Sequence, residues 1–445
     1  MKNIPYKVKN IMSMLIKNGF DAYIIGGAVR DYYLNRRPHD YDIFTNATGE
    51  QILQLFPKGK IIGGETRQAK ILTVIVDGIE VSQYRSNGNR TETGNNLLAH
   101  LATCDFNVNA MACDIHGNII DMYHAKNSLL NKRFEFVGKP KDRINEDPLR
   151  LLRGVRLICQ FGLLPLKNTK LALKEYGKLL LNLPQERVRD EIMRLMKYPS
   201  SLIELRSLGY LQYILPELHI LIGLDAGPHH KEKDCFEHSN YAFINSCKVT
   251  NDPLLRFAIA LHDIGKAPSS KIIDGEITFH NHQAHSERLV IRLMKRLKFS
   301  KSEIIYCSTI AKQHMMGPVK KMRDSTFAKI SDSLNKANVA PEDMIVCTYS
   351  DNQANLSKPR LTFHSFLKEN PFLRKYYEFK YNRKPFNKSD MEISGKDLLK
   401  LGFEKGPIIG IVLNKLFNAI HNGDVINRKD RLLEYIQTNL TNTGD

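Results

Sequence analysis

The chain has 445 residues, more than the usual single domain of about 100 to 200 residues, so two or three separately cored units are expected. Hydrophobic residues make up 42% of it and no low-complexity tract interrupts them, which excludes a largely disordered protein. Lys and Arg number 65 against 47 Asp and Glu, and the net +18 points to a polyanionic partner such as nucleic acid.

The first twenty residues, MKNIPYKVKNIMSMLIKNGF, start basic, but polar residues break every apolar run, so they read as an amphipathic helix and not as a signal peptide. No window approaches the roughly 18 uninterrupted apolar residues of a membrane span, so a soluble protein is expected. The seven cysteines are scattered and never spaced as CxxC, the pattern of a reduced, cytoplasmic protein without a zinc or disulfide framework.

From Tyr23 to about Phe136 short apolar strands alternate with turns, in YII, YDIFT, ILTVIVDGIEVSQY and NAMACDIHGNIIDMY, which predicts a small mixed sheet with few helices. Asp77-Gly78 and His116-Gly117-Asn118 mark tight hairpin turns. SNGNRTETGNN, beginning at Ser86, reads as a mobile loop of about ten residues beside whatever site the sheet carries. From Asp147 the period becomes helical, in DPLRLLRGVRLICQ and ERVRDEIMRLM, and stays so to the C-terminus. Breaks near residue 225 and after Asp351 divide this body. The expected architecture is α+β with four parts: a sheet head over 1–137, a helical neck over 138–224, a His-rich unit over 225–355 and a basic tail over 356–445.

Two constellations carry chemistry. In YIIGGAVRDYYLNRRPHDYDIFT a strand turns sharply at Gly26-Gly27 into a short helix, which aims backbone N–H groups at a phosphate. Asp40 and Asp42 then alternate with Tyr41 and Ile43, so both carboxylates are expected on one face of a strand. Two like charges there are tolerable if they hold Mg²⁺, two ions about 4 Å apart activating a 3′ hydroxyl and stabilising pyrophosphate. An isolated DxD is more often a solvated acidic strand, but here it lies within seventeen residues of the Gly-Gly turn and Val29-Arg30-Asp31. In the second, His238, His262-Asp263, His314 and Asp351 follow the order H…HD…H…D, with His280, His282 and His285 as further possible ligands. Imidazole plus carboxylate suits Mn, Co or Ni, and a shared Asp263 can bridge two ions.

GGAVRD through DYDIFTNAT resembles motif A of the class II CCA-adding enzymes and bacterial poly(A) polymerases, members of the polymerase-beta nucleotidyltransferase superfamily. CDFNVNAMA (Cys104–Ala112) resembles motif B, which implies that Asp105 lies around the incoming ribose and that Asn109 belongs to the nucleotide-binding set. EDPLRLLRGVR (Glu146–Arg156) resembles the EDxxR motif, which implies that Asp147 and Arg150 pair with the base edges of CTP and ATP in place of a template. ERVRDEIMRLM resembles the neck helix, where Glu186 and Arg187 would support the nucleotide pocket. Two other readings of these residues stay open. Asp147-Pro148 also has the look of an N-cap followed by Pro at the first helical position, and Arg150, Arg153 and Arg156 could equally be phosphate or backbone contacts. The pattern departs from the family at Thr103 and Cys104, which stand where motif B has two arginines, and at Asn107, which replaces a Thr. Arg30 or Arg85 are candidates to compensate.

H…HD…H…D resembles the HD phosphohydrolases, as fused to some bacterial CCA-adding enzymes and linked there to phosphatase and 2′,3′-cyclic phosphodiesterase chemistry. Gly395–Leu416 resembles the tail of bacterial CCA enzymes. The resemblance implies tRNA 3′ ends, CTP and ATP as partners, with no obligate protein partner. The rival readings are a poly(A) polymerase or A-adding enzyme, against which the fused HD domain argues, and an HD phosphohydrolase whose head has decayed into an RNA-binding module.

Overall fold

A computed structural model describes residues 1, 4–38, 40–62, 72–86, 94, 96–228, 230–315, 322–368 and 370–440. The expected loop from Ser86 lies almost wholly outside the described residues. Compactness divides the chain into one unit of 1–191 with 200–214 and another of 192–199 with 215–445.

The first unit begins with helix α1 (Tyr6–Lys17), which buries Val8, Ile11, Met12 and Leu15 at helical spacing, as its amphipathic sequence requires. Among the described residues its sheet has seven strands: β1 (Tyr23–Ile25), β2 (Asp42–Thr45), β3 (Lys60–Ile62), β4 (Thr73–Val76), β5 (Ile79–Gln83), β6 (Ala112–Cys113) and β7 (Ile119–Ile120). Their order is β3-β4-β5-β2-β1-β6-β7, and only β2 and β5 run parallel. Asp77 at φ 51° and Gly78 at φ 82° form the β4–β5 turn, where both positive angles match the right-handed strand twist. The head holds more helix than its strand-rich sequence suggests, with α2 (Gly27–Tyr33), α3 (Gly49–Leu55), α4 (Leu97–Leu101) and α5 (Ala125–Leu130) besides α1.

Two expectations at the strand and helix ends are corrected. Asp40 does not share the strand with Asp42: β2 begins at Asp42, and Asp40 is exposed chain ahead of it. Asp147 is not the N-cap of the following helix. It closes α6 (Pro140–Glu146), and α7 (Arg150–Phe161) starts three residues later, with Leu149 as its N-cap. The Leu149 N–H still donates to Asp147 Oδ1 at 3.1 Å, so the side chain stabilises the joint between the helices.

Among its described residues the second unit is helical apart from a hairpin, Lys271–Ile273 with Glu276–Thr278. Its central helices are Cys235–Val249, Pro253–Ala260, His282–Arg296, Lys301–Gln313 and Pro341–Ala354, followed by Pro371–Tyr381, Pro407–Asn422 and Lys429–Asn439. Among the described residues no helix is long and apolar enough to cross a membrane.

Candidate active sites

Gly26 holds φ 86° and ψ −123°, a conformation that L side chains rarely adopt, and this lets β1 turn at once into α2. The parallel pairing of β2 with β5 sets Asp42 opposite Glu80, so the two carboxylates stand side by side on one face with Phe44 and Ser82, while Ile43 and Val81 are buried on the other. Asp42, Phe44, Glu80 and Ser82 line a cavity of about 380 Å³, together with Gly26, Gly27, Arg30, Arg85, Thr103, Cys104, Asp105, Asn109, Asp147, Arg150, Arg153 and Arg156. Burial, then Glu80, then Asp40 push the Asp42 carboxyl up to about 6 against the pull of Arg85. Such a crowd of carboxylates calls for a divalent cation, and Asp42 and Glu80, with Asp40 nearby, are the groups that could hold it. Glu80 escaped sequence reading. The alternation in IEVSQ showed it facing away from the core, but nothing in the sequence said which strand would lie beside it.

Arginines surround the acidic floor. Asp105 is buried, which alone would raise its pKa, yet Arg153, Asn109 and the Phe106 N–H hold it below the usual carboxylate range. Its Oδ2 lies 2.8 Å from Arg153 Nη2, and its Oδ1 accepts from Asn109 Nδ2 at 2.9 Å and Phe106 N–H at 2.8 Å. Asn109 Oδ1 in turn accepts from Arg30 Nη1 at 2.5 Å, and Arg30 packs over the Phe161 ring at 4.4 Å. Arg30 and Arg85 thus both stand in the cavity that lacks the motif B arginines. Burial and Asp105 push the Cys104 thiol up to about 12, so it stays neutral there.

The EDxxR residues divide. Arg150 is buried and its guanidinium donates to Arg143 O (2.8 Å), Glu146 Oε2 (2.8 Å) and Thr103 O (3.0 Å). Asp147 meets Arg187 Nη2 at 2.8 Å, so Arg187, on the helix Gln185–Leu195, touches the cavity only through Asp147. Glu186 is exposed on that helix and does not line the cavity. On the same helix the buried Glu191 pairs at 3.1 Å with Arg156, which does line the cavity.

In the second unit His238, Asp263, His282, His314 and Asp351 line a cavity of about 310 Å³ with Lys266 and Lys358, and His262 stands against its floor. His238 and His262 Nε2 lie 2.9 and 3.5 Å from Asp351 Oδ1. The four imidazoles of this cluster are oriented through Nδ1: His262 to Ile259 O at 2.7 Å, His282 to Phe279 O at 2.9 Å, His314 to Ala311 O at 2.7 Å and His238 to Glu232 Oε1 at 3.0 Å. Each Nε2 is thereby turned inward, the arrangement of metal-binding histidines supported from behind. Gly265 explains why the HDIGK run needs its glycine, because a Cβ there would lie 2.2 Å from His282 O. That close approach, with Gly265 N–H donating to Ser286 Oγ at 2.9 Å, sets the helix His282–Arg296 beside Asp263. His282 joins the cluster. His280 is exposed, and neither it nor His285 belongs to a potential ligand group among the described residues. Glu232, which the sequence reading passed over, lies in the loop before the helix that carries His238.

A parallel carboxylate pair beside a glycine turn defines a nucleotidyltransferase head, and the His-Asp cluster defines an HD domain. The models that match agree: the poly A polymerase head domain over 22–135, the RNA and SrmB-binding site of polymerase A over 166–221, the HD domain over 236–348 and tRNA nucleotidyltransferase domain 2 over 377–436. The CCA-adding enzyme of Anoxybacillus flavithermus is 27% identical over 97% of this chain and 96% of its own. The CC-adding tRNA nucleotidyltransferase of Halalkalibacterium halodurans is 38% identical, over 44% of this chain and 50% of its own. The fold is that of the Bacillus stearothermophilus CCA-adding enzyme solved with CTP, at TM-score 0.66 and 21% identity, covering 97% of each chain. The chain carries a poly A polymerase head domain and an HD domain and is similar over nearly its whole length to CCA-adding enzymes. Both parts depend on divalent metal.

Proposed function

We propose that this protein is a cytoplasmic enzyme that adds CCA to the 3′ end of tRNA from CTP and ATP without a nucleic-acid template, and that its HD domain hydrolyses phosphate esters. The observation that carries the reading is the Asp42–Glu80 pair facing five arginines across one cavity. The RNA 3′ oxygen forms a bond to the α-phosphorus of the nucleotide as the bond to pyrophosphate breaks. Asp40 and Asp42 would hold Mg²⁺, which supplies charge neutralisation to the phosphates. The backbone at Gly26 and Gly27, with Arg30 and Arg153, receives the triphosphate. Asp105 and Asn109 position the ribose. Asp147 and Arg150 read the base edge, Arg150 being fixed by Glu146 and Thr103 O, with Arg187 behind Asp147 and Glu191 behind Arg156. In the HD domain His238, His262, Asp263, His314 and Asp351 would hold Ni²⁺, Mn²⁺ or Co²⁺. By this reading the functional parts run over 1–137, 138–224, 225–355 and 356–445.

The test offers the protein a tRNA lacking its 3′ end with CTP, ATP or both. CCA addition gives two C residues with CTP alone, the full end with both, and nothing with ATP alone on this substrate. The likeness to a CC-adding enzyme favours a second reading, in which the product stops at CC when both nucleotides are present. A ladder of A residues with ATP alone would instead mark a poly(A) polymerase.

A further inference from the structure

We propose that His100 binds the RNA end in the head, donating from Nε2 to the 2′-oxygen of the terminal ribose, an inference that rests on the nucleotidyl-transfer reading of that cavity. His100 lies on α4, buried, and lines the cavity with Arg85, Thr103 and Cys104. Its Nδ1 accepts the Arg85 backbone N–H at 3.2 Å, and a nitrogen that accepts carries no hydrogen. Burial, with Arg85 adding to it, keeps the ring from taking a second proton. The one hydrogen therefore sits on Nε2, and among the described residues this N–H meets no acceptor. Buried donors are nearly always satisfied, so an unused one at a cavity wall suits a ligand. Its direction is fixed, because Phe44 and Tyr84 flank the ring at centroid distances of 4.3 and 5.7 Å.

The register of the sheet indicates which substrate this donor meets. Ile24 pairs with Ile43 and Tyr23 with Phe44, so β1 runs past Asp42 into the Gly26 turn. Phe44, against which His100 packs, lies the other way along β2. Asp42 thus stands between the glycine turn and His100. In nucleotidyl transfer the attacking oxygen and the leaving pyrophosphate lie roughly in line on opposite sides of the phosphorus. With the triphosphate on Gly26, Gly27, Arg30 and Arg153, the RNA end comes in from the side of His100 and Glu80. A neutral N–H suits an uncharged hydroxyl oxygen, since the arginines already serve the phosphates. Donation to the 3′ oxygen would draw electron density from the nucleophile, which leaves the 2′-hydroxyl beside it. That hydroxyl is the group by which a protein tells an RNA end from a DNA end.

The experiment gives the full chain CTP and a tRNA lacking its 3′ end, made with either a ribose or a 2′-deoxyribose at its terminus. The parent is expected to lose about tenfold in kcat/KM for tRNA on the deoxy end, the worth of one hydrogen bond. His100→Phe keeps a ring against Phe44 and has no N–H. It should lose the same factor on the ribose end and nothing further on the deoxy end, with KM for CTP within about twofold of the parent. His100→Gln, whose amide N–H reaches as far as Nε2, should recover most of the loss. A parent that treats both ends alike overturns the proposal. So do losses that multiply in a folded His100→Phe, because they mark a ring that only packs. A parent that adds no C to either end overturns the nucleotidyl-transfer reading itself. Should His100→Phe unfold, His100→Asn, which keeps an acceptor for the Arg85 N–H and lacks the reach of Nε2, takes its place. With neither folded, the parent's preference for the ribose end decides alone.

Discussion

At the scale of single residues, the head site is an exercise in holding like charges together. Asp42 and Glu80 share a sheet register and Asp42 is pushed up to about 6, so removal of one charge is expected to abolish the reason for an ion to bind. Asp42→Asn should therefore lower C and A addition alike by about 10³-fold, the loss of several kcal/mol of charge stabilisation, while tRNA affinity in a filter assay stays within about twofold. Loss of one nucleotide alone would contradict a single shared site. Arg150 carries two roles, because the same guanidinium lines the cavity and ties Thr103 O, Arg143 O and Glu146 together. Arg150→Ala is expected to cost about 2 kcal/mol of stability, since it takes a donor from the Thr103 and Arg143 carbonyls and leaves the half-buried Glu146 with Arg143 alone. Among the molecules that remain folded, misincorporation of UTP and GTP should rise. Equal loss with all four nucleotides would make Arg150 a structural contact and nothing more.

At the scale of elements, α4 shows how packing around the cavity sets a pH limit. His100 lies 4.3 Å from the Phe44 ring and its Nδ1 accepts the Arg85 N–H at 3.2 Å, so it is neutral in the fold. Burial, helped by Arg85, pulls its pKa down to about 3. The unfolded chain takes up this proton below its ordinary value near 6.5 while the native state refuses it, so the stability contributed above that value is lost as pH falls toward 3. His100→Gln should flatten the decline in urea midpoint between pH 7 and 5, and an unchanged slope would refute the assignment. The same element-level view explains what could be read in advance. The β4–β5 hairpin, the Gly-Gly turn and α7 were legible because their signals are contiguous: Asp77-Gly78, Gly26-Gly27 and a helical repeat. Glu80 and Glu191 were not, because each acquires its role from a partner distant in the chain, Asp42 and Arg156, while Glu232 lies six residues before His238 in irregular chain that no periodic pattern orients. The ends of β2 and α7 were misplaced for a related reason. Asp40 and Asp147 lie at joints whose geometry depends on tertiary bonds, such as Arg187 to Asp147, that no local pattern records.

At the scale of the whole molecule, a net charge of +18 should appear in how the protein holds RNA. Phosphate contacts release condensed counterions, so tRNA affinity is expected to fall about 10³-fold between 50 and 200 mM salt, and a flat titration would remove RNA as the reason for the charge. The two chemistries should separate as well. The head set of Asp40, Asp42 and Glu80 and the HD set around Asp263 share no residue and lie in different units of the chain. His262→Ala with Asp263→Ala is therefore expected to eliminate phosphoesterase activity and leave nucleotide addition within about twofold of the parent. Carboxylate oxygens prefer Mg²⁺ and imidazoles a softer ion, so Ni²⁺ or Mn²⁺ should stimulate hydrolysis more than nucleotide addition. A stability control belongs with this variant, because Asp263 and His262 are buried and Lys266 pairs with Asp263. Removing that carboxylate leaves a buried ammonium without its partner, a change that can destabilise a unit by several kcal/mol. Thermal midpoints of parent and variant are compared first, and Asp263→Asn, which keeps the size of the side chain, serves if the double alanine variant unfolds. A folded variant that loses nucleotide addition together with hydrolysis would show that the two units work as one enzyme.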